Sequence, residues 1–459
     1  MVLHDQLTTT PADRAHVNTR RLQATNSQDA VLARLAKRGG AKPTKVQHYT
    51  SANALSLTAA PDQIAALATD PAVAAVIPNS QVAIPVRAKV SDGPVTDAPA
   101  IGTPSSTAVC PTDPSHPLLE PEALQDTNTA SDDPSAKTAQ QLTDGSGTKV
   151  AYIADAINPD NPDFIRADGS HVIVDYKAFS ADGPTPNDGG AEAYGDASSI
   201  AAQGLVSHDL STFVNPAYPL PAGCNIRILG MAPGASIVAL KIDFYTTSIV
   251  QAIDYAVSTD HVDVLNESFG GGPIPDTAAR SAISLFNDMA VAAGTTVTVS
   301  SGDAGTTNTI GNPATDPNII SVAANTNNRT YAQTGYAGAR FFGNGNWVND
   351  EISSLSSGGT TQSANTVDIT APGESGWAVC DSGAPECTNF RGGHSDFQPF
   401  GGTSQSAPLT AGAAALVISA YRSSHGGASP SPKLVKSLLT STASDLGLPT
   451  YEQGAGLLN

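Results

Sequence analysis

From Gly147 onward, short apolar runs alternate with helical stretches, and this alternation is what most constrains the fold. The runs are Val150–Ile153, His171–Val174, Ser236–Ile242, Val262–Leu265, Thr296–Val299, Ile319–Ala324 and Val367–Thr370. Most are apolar at successive positions rather than at every second one, so both faces of each strand must be covered. A helical period runs from a cap at Asp276 to Gly294, with Ala279, Ala282, Ile283, Phe286 and Ala290 on one face. Strands alternating with helices predict an α/β fold, a parallel sheet flanked by helices on both faces. No internal repeat is visible.

The 459 residues leave room for one large domain and a smaller one. Residues 1–90 read as a small α+β unit. Pro61 opens a helix through Ile64 and Leu67, Asp70-Pro71 ends it, and a strand follows over Ala72–Pro78. Residues 91–140 are rich in Pro, Asp, Ser and Thr, the composition of an exposed, cleavable linker. The main domain is expected over 141–459. The net charge of −19 and the lack of Lys/Arg clusters argue against nucleic-acid binding. The longest apolar stretch, Ala411–Ala420, is too short to span a bilayer.

The segment FGGTSQSAPLTAG, Phe400–Gly412, carries the strongest chemical signal. Its small residues permit a tight turn and close approach of a substrate. A helix starting beside Ser404 would aim backbone amides at a developing oxyanion. Gly402, Thr403, Ser404 and Pro408 match the Gly-Thr-Ser-x-x-x-Pro nucleophile motif of subtilisins and sedolisins, which this chain resembles over roughly 145–459. Val150–Phe164, Ile228–Ile242, Asn266–Gly272, GNPATDP, VDITAPG and the terminal QGAGLLN resemble further segments of those enzymes, in the same order. The resemblance implies a subtilisin-like sheet, a serine endopeptidase acting on proteins or peptides, and an inhibitory propeptide in residues 1–90. It also implies that Ser268, Phe269 and Gly270 line the substrate cleft, with backbone groups pairing an extended peptide.

The catalytic partners depart from subtilisin. The His-Gly-Thr-His motif of subtilisins is absent, and Ala154 stands where their Asp ends the first strand, with Asp155 one residue late. At the position of the His motif stands GGAEAYGDASSIAAQG, Gly189–Gly204. Glu192 and Asp196 are four apart, so a helix puts both on one face. Sedolisins carry a Glu-x-x-x-Asp pair there, the Glu as general base for Ser and the Asp as its support. They also replace the oxyanion Asn with Asp. Asp303, in VTVSSGDAG, resembles their Ser-Gly-Asp-Ser-Gly segment. The resemblance therefore implies Ser404 as nucleophile, Glu192 as base, Asp196 as its support and Asp303 as oxyanion donor. A carboxyl pair resists double ionisation, and an oxyanion donor must be neutral, so the expected optimum is acidic. Gly195 is unfavourable inside such a helix by about 1 kcal/mol.

Two rivals stand beside this reading: a subtilisin-fold binding module without activity, and a subtilisin-type peptidase with another His as base. His208 and His394 lie nearest in sequence to the active segments and read as surface residues. Cys380 and Cys387 bracket a short loop that a disulfide would close, leaving Cys110 to pair with Cys224. No metal ligands or cofactor motif are recognised. Sedolisins bind calcium near the C-terminus, and no acidic calcium loop precedes GAGLLN. The family resemblance implies a secreted, monomeric enzyme, although MVLHDQLTTT lacks the regions of a signal peptide.

Overall fold

A computed structural model of the chain describes residues 1–82, 109–184, 190–216, 219–270, 282–334 and 349–459. The first unit contains strands β1 (Val2–Leu3), β2 (Thr44–His48), β3 (Leu55–Thr58) and β4 (Val73–Ala75), with helices α1 (Val17–Lys37) and α2 (Pro61–Ala68). Leu3, Val31, Leu35, Leu67 and Val73 form its own small core. Helix α2 and the strand after it fall where the sequence places them. The 21-residue α1 is not legible from apolar spacing, because two of its five buried residues, Arg20 and Gln28, are polar. Arg20 donates to the carbonyls of Leu7 and Thr10, and Gln28 to that of Tyr49, so their burial is satisfied within the unit.

The described part of the expected linker, 109–140, is built into the main domain instead. Strand β5 (Leu118–Glu120) and helix α3 (Ala123–Asp126) lie within it. Leu118, Leu119 and Leu124 are buried in the main core. The polar composition that suggested a linker serves local turns: Asp113 and Asp133 accept from the backbone N–H of Ser115 and Ser135. The rest of the expected linker, with the end of the small unit, lies outside the described residues.

The large sheet is built from β6 (Lys149–Ala154), β7 (Ile173–Ala178), β10 (Ser236–Lys241), β11 (Val264–Glu267), β12 (Thr296–Ser300), β13 (Ile320–Asn325) and β14 (Ile369–Pro372). Between them in the chain come α4 (Ala191–Ala201), β8 (His208–Asp209), β9 (Asn225–Ile228), α5 (Thr246–Tyr255), α6 (Ala282–Ala292) and α7 (Arg329–Thr334). After β14 follow β15 (Gly376–Val379), β16 (Phe397–Phe400), α8 (Thr403–Ser424), α9 (Pro432–Thr442) and α10 (Thr450–Gln453). The sheet order is β14-β13-β12-β11-β6-β10-β7. Every neighbouring pair is parallel. The expected α/β architecture is therefore what forms, and the apolar runs are its strands to within a few residues.

Two cores cover the two faces. One contains Tyr152, Ile200, Met231 and Leu409 and lies on the α4 and α8 side. The other contains Ile153, Ile249, Ile253, Phe286 and Val299 and lies on the α5 and α6 side. Tyr49, Ala52 and Ala54 of the small unit join this second core. The helix expected from Asp276 is seen as α6 from Ala282; Asp276 and Ala279 lie outside the described residues. Strand β5 pairs with β9 in a smaller sheet, and the disulfide Cys110–Cys224 lies just ahead of both strands. The second disulfide joins Cys380 to Cys387.

Candidate active site

Ser404 lies in the first turn of α8, after Gly402 at the helix cap, and is 6% exposed. Gly402 has φ +86°, and a Cβ there would come within 2.6 Å of Asp303 Oδ2. Glycine thus allows both the left-handed turn and the approach of Asp303. Asp303 Oδ1 accepts from the Thr403 N–H and the Thr403 Oγ1–H, each at 2.9 Å. The same Thr403 hydroxyl oxygen accepts from the Gly302 N–H at 3.0 Å. Asp303 is therefore locked to the turn that presents Ser404.

Helix α4 packs directly against α8. Its cap, Gly190, has no side chain to offer, and Asp155 supplies one from the end of β6. Asp155 Oδ2 accepts from the Gly190 N–H at 2.9 Å, and Oδ1 from the Ala193 N–H at 2.8 Å. A carboxylate at a helix N-terminus is also favoured by the helix dipole. Asp155 thus fixes the turn that carries Glu192, which is half-buried. One turn on, Asp196 is fully buried. Asp196 Oδ1 accepts from Ser268 Oγ at 2.7 Å. Ser268 Oγ also lies 3.3 Å from the Ser404 carbonyl, and Asn266 Nδ2 donates to it at 2.9 Å. The Ser404 hydroxyl in turn reaches the Ser268 carbonyl at 3.3 Å.

The structure thus brings Ser404, Asp196, Ser268 and Asp303 to one place, with Glu192 on the same helix as Asp196. Burial and the nearby Asp196 charge push the Tyr152 phenol up, as expected where a carboxylate faces an apolar sheet. Gly270 is partly exposed and lies close to the Asn312 carbonyl, whereas the Phe269 ring turns away into the opposite core, 6.3 Å from the ring of Phe244. The Phe269 side chain therefore does not line the Ser404 side of the sheet. The Ser268 hydroxyl as a brace for Asp196, and Asp155 as the cap of α4, were not legible from the sequence. The one available signal was an Asp directly after a strand, paired with a glycine at a helix start.

Gly195 proves to be a packing requirement. A Cβ at this position would lie 2.3 Å from Cε2 of Phe400, a buried ring at the end of β16, four residues before Ser404. Gly195→Ala is expected to gain about 1 kcal/mol of helix propensity yet lose about 1–3 kcal/mol to overpacking. Urea unfolding of the variant should therefore show a net loss of up to about 2 kcal/mol.

His208 is buried rather than on the surface. Its Nε2 lies 3.2 Å from Asp163 Oδ1, and its ring rests on Phe397 at 5.2 Å. His394 pairs with Thr388 in an exposed loop bridge. Among the described residues, no group of three or more His, Cys, Asp or Glu stands close enough to hold a metal ion. Among them, no helix is long and apolar enough to cross a membrane.

Comparison with known proteins agrees with this fold. Subtilisin E of Bacillus subtilis (strain 168) is 29% identical over 324 residues, covering 69% of this chain and 65% of its own length. The subtilisin of Bacillus pumilus is 28% identical over 324 residues, covering 69% of this chain and 90% of its own. A protein named extracellular protease, from Xanthomonas campestris pv. campestris, is 30% identical over 236 residues, 51% of this chain and 33% of its own. This chain therefore spans 65% of the length of subtilisin E. Residues 108–456 match the subtilase family, a span that begins just before Cys110 and includes β5, the whole large sheet and the Ser404 turn. A parallel sheet of this order, a serine at the head of α8 and that match over most of the sequence have one reading: the chain belongs to the subtilase family.

Proposed function

We propose that the chain is a serine endopeptidase that works through carboxyl groups rather than a His base, and that residues 1–82 belong to its inhibitory propeptide. The observation that carries the catalytic reading is the hydrogen-bonded set Ser404, Ser268 and Asp196, with Asp303 bonded to Thr403 beside it. Ser404 Oγ attacks the peptide carbonyl and its proton passes to Glu192. The oxyanion that forms is met by the first-turn amides of α8 and by a neutral Asp303. Oδ1 of Asp303 already accepts two bonds, so the proton of the neutral form belongs on Oδ2. Collapse breaks the C–N bond, and Glu192 returns its proton to the departing amine. Water then cleaves the acyl-enzyme by the same steps in reverse. Ser268 and Asp196 hold the helix turn that places Glu192.

Contacts between the small unit and the main domain support the propeptide reading. Asp254 of α5 accepts from the Thr50 N–H, the Ser51 N–H and the Ser51 hydroxyl, at 2.6 to 2.8 Å. Its tail then runs antiparallel to the segment after β10. Gln81 bridges Tyr245, the Val82 N–H donates to the Phe244 carbonyl at 2.8 Å, and the Thr246 N–H to the Ser80 carbonyl at 2.9 Å. Two disulfides and a relative named extracellular protease support secretion.

The test is hydrolysis of a peptide library across about pH 3 to 9 after removal of the small unit. Activity is expected to peak at acidic pH and to fall as Asp303 ionises. Asp303→Asn keeps a donor at every pH, so its alkaline limb should move upward, whereas Asp303→Ala should lose about 10²–10³ in kcat, a scale set by subtilisin itself. A neutral optimum unchanged in Glu192→Ala would remove Glu192 as base. Inactivity at every pH, with Ser404 unlabelled by a fluorophosphonate, would favour the binding-module reading.

A further inference from the structure

Residue 267 interrupts an otherwise apolar layer. In the parallel register, Glu267 pairs with Ile153 of β6 and Val299 of β12, both in the core beneath α5 and α6. Its neighbours Asn266 and Ser268 point to the other face, toward Asp196. Glu267 is therefore a fully buried carboxyl directly behind the strand that leads into Ser268–Gly270. Asn287 of α6, also fully buried, donates from Nδ2 to Glu267 Oε2 at 2.9 Å. The other two oxygens of this pair, Glu267 Oε1 and Asn287 Oδ1, are buried and have no hydrogen-bond partner. Both are acceptors if Glu267 is ionised, and leaving both unmet is costly. One proton on Oε1 removes the conflict, because Oε1–H can then donate to Oδ1.

We infer that Glu267 is a positioning residue held as a neutral acid in a closed acid–amide pair with Asn287, and that this proton-dependent pair fixes the Ser268–Gly270 strand to α6. The consequence for substrate binding rests on the peptidase reading; the pair itself does not. Burial holds the Glu267 carboxyl up at about 8, opposed by the Asn287 hydrogen bond. The charged group facing it is Asp316, in the loop before β13, whose own carboxyl is raised to about 6 by burial. Asp288 of α6 raises Asp316 further and Lys436 of α9 lowers it. The flanking strands present Ile153 and Val299, so among the described residues the sheet brings no cation to an ionised Glu267.

The unfolded chain releases this proton near pH 4.5, while the folded chain keeps it to about pH 8. Stability from the pair is thus complete below pH 4.5 and is lost progressively as pH rises through 8. Glu267→Gln replaces the acid by an amide, which closes the same ring without a titrating proton. The test uses the full chain carrying Ser404→Ala, which cannot digest itself, so its result is independent of the catalytic reading. The thermal midpoint with Glu267→Gln is expected to rise relative to Glu267 between about pH 4.5 and 8, then hold a constant gap. Glu267→Leu, which also lacks the proton, must show the same widening if the Gln variant does not fold. A gap that does not change with pH in the folding variant would overturn the inference. Amide exchange over 264–270 tests the strand. Above pH 8 it should be faster with Glu267 than with Gln, after correction for intrinsic rates, and equal protection there would overturn the positioning role.

Discussion

Ser404→Ala should reduce peptide hydrolysis by about 10⁴–10⁶ in kcat, and Glu192→Gln by a similar order, while the double variant is no worse than Ser404→Ala alone. The two act as one unit, because a nucleophile without a base and a base without a nucleophile leave the same residual catalysis. That residue comes from the first-turn amides of α8, from Asp303 and from substrate binding, none of which these substitutions touch. Glu192→Gln keeps shape and removes only the ability to accept a proton. Its thermal midpoint should stay near that of the parent, since Glu192 is half-buried and α4 remains capped by Asp155. The measurement is steady-state hydrolysis at the acidic optimum, with the fraction of Ser404 labelled by a fluorophosphonate as a second readout. Labelling should be lost in both single variants. A Glu192→Gln enzyme that still labels and turns over within tenfold of the parent would leave Ser404 as nucleophile and discard the carboxyl base.

The largest effect on stability is expected from the Cys110–Cys224 disulfide. Its two half-cystines are 114 residues apart, so it removes a large loop-closure entropy from the unfolded chain, about 4–5 kcal/mol in the chain-entropy account. The bond also pins the segment leading into β5 beside the start of β9, where Leu118 pairs with Ile226. Replacing both cysteines by Ser, in the Ser404→Ala background, should lower the free energy of urea unfolding by roughly 3–5 kcal/mol. The Cys380–Cys387 bond closes only a short loop, with a separation of 7, and its loss should cost about 2 kcal/mol. Equal costs for the two bonds would mean that native-state packing, rather than loop entropy, decides their contribution.

The parallel sheet was legible from the chain because its strands are buried on both faces and so read as unbroken apolar runs. Val150–Ile153 and Ser236–Ile242 fall within a residue or two of β6 and β10. The 109–140 segment was not legible for the converse reason. Turn-forming Asp, Pro and Ser dominate it, and the few leucines that bury it have no period of their own. Helix α1 was missed because it buries Arg20 and Gln28, whose partners lie in other parts of the unit. His208 looked like a surface residue because its partners, Asp163 and Phe397, are 45 and 189 positions away.

The local pattern of residues was enough to determine the class of the fold, the glycine-rich turn of Ser404 and the spacing that sets Glu192 and Asp196 one helical turn apart. These depend on neighbours within a few positions, where backbone geometry alone decides which side chains can meet. Tertiary structure alone decided that Ser268 braces Asp196, that Asp155 caps α4, that Gly195 makes room for Phe400 and that Glu267 faces Asn287. Each of these joins residues from 20 to more than 200 positions apart. No local period encodes such meetings. They follow from the sheet order, which places β11 between β6 and β12 and lays α4 and α8 together across one face.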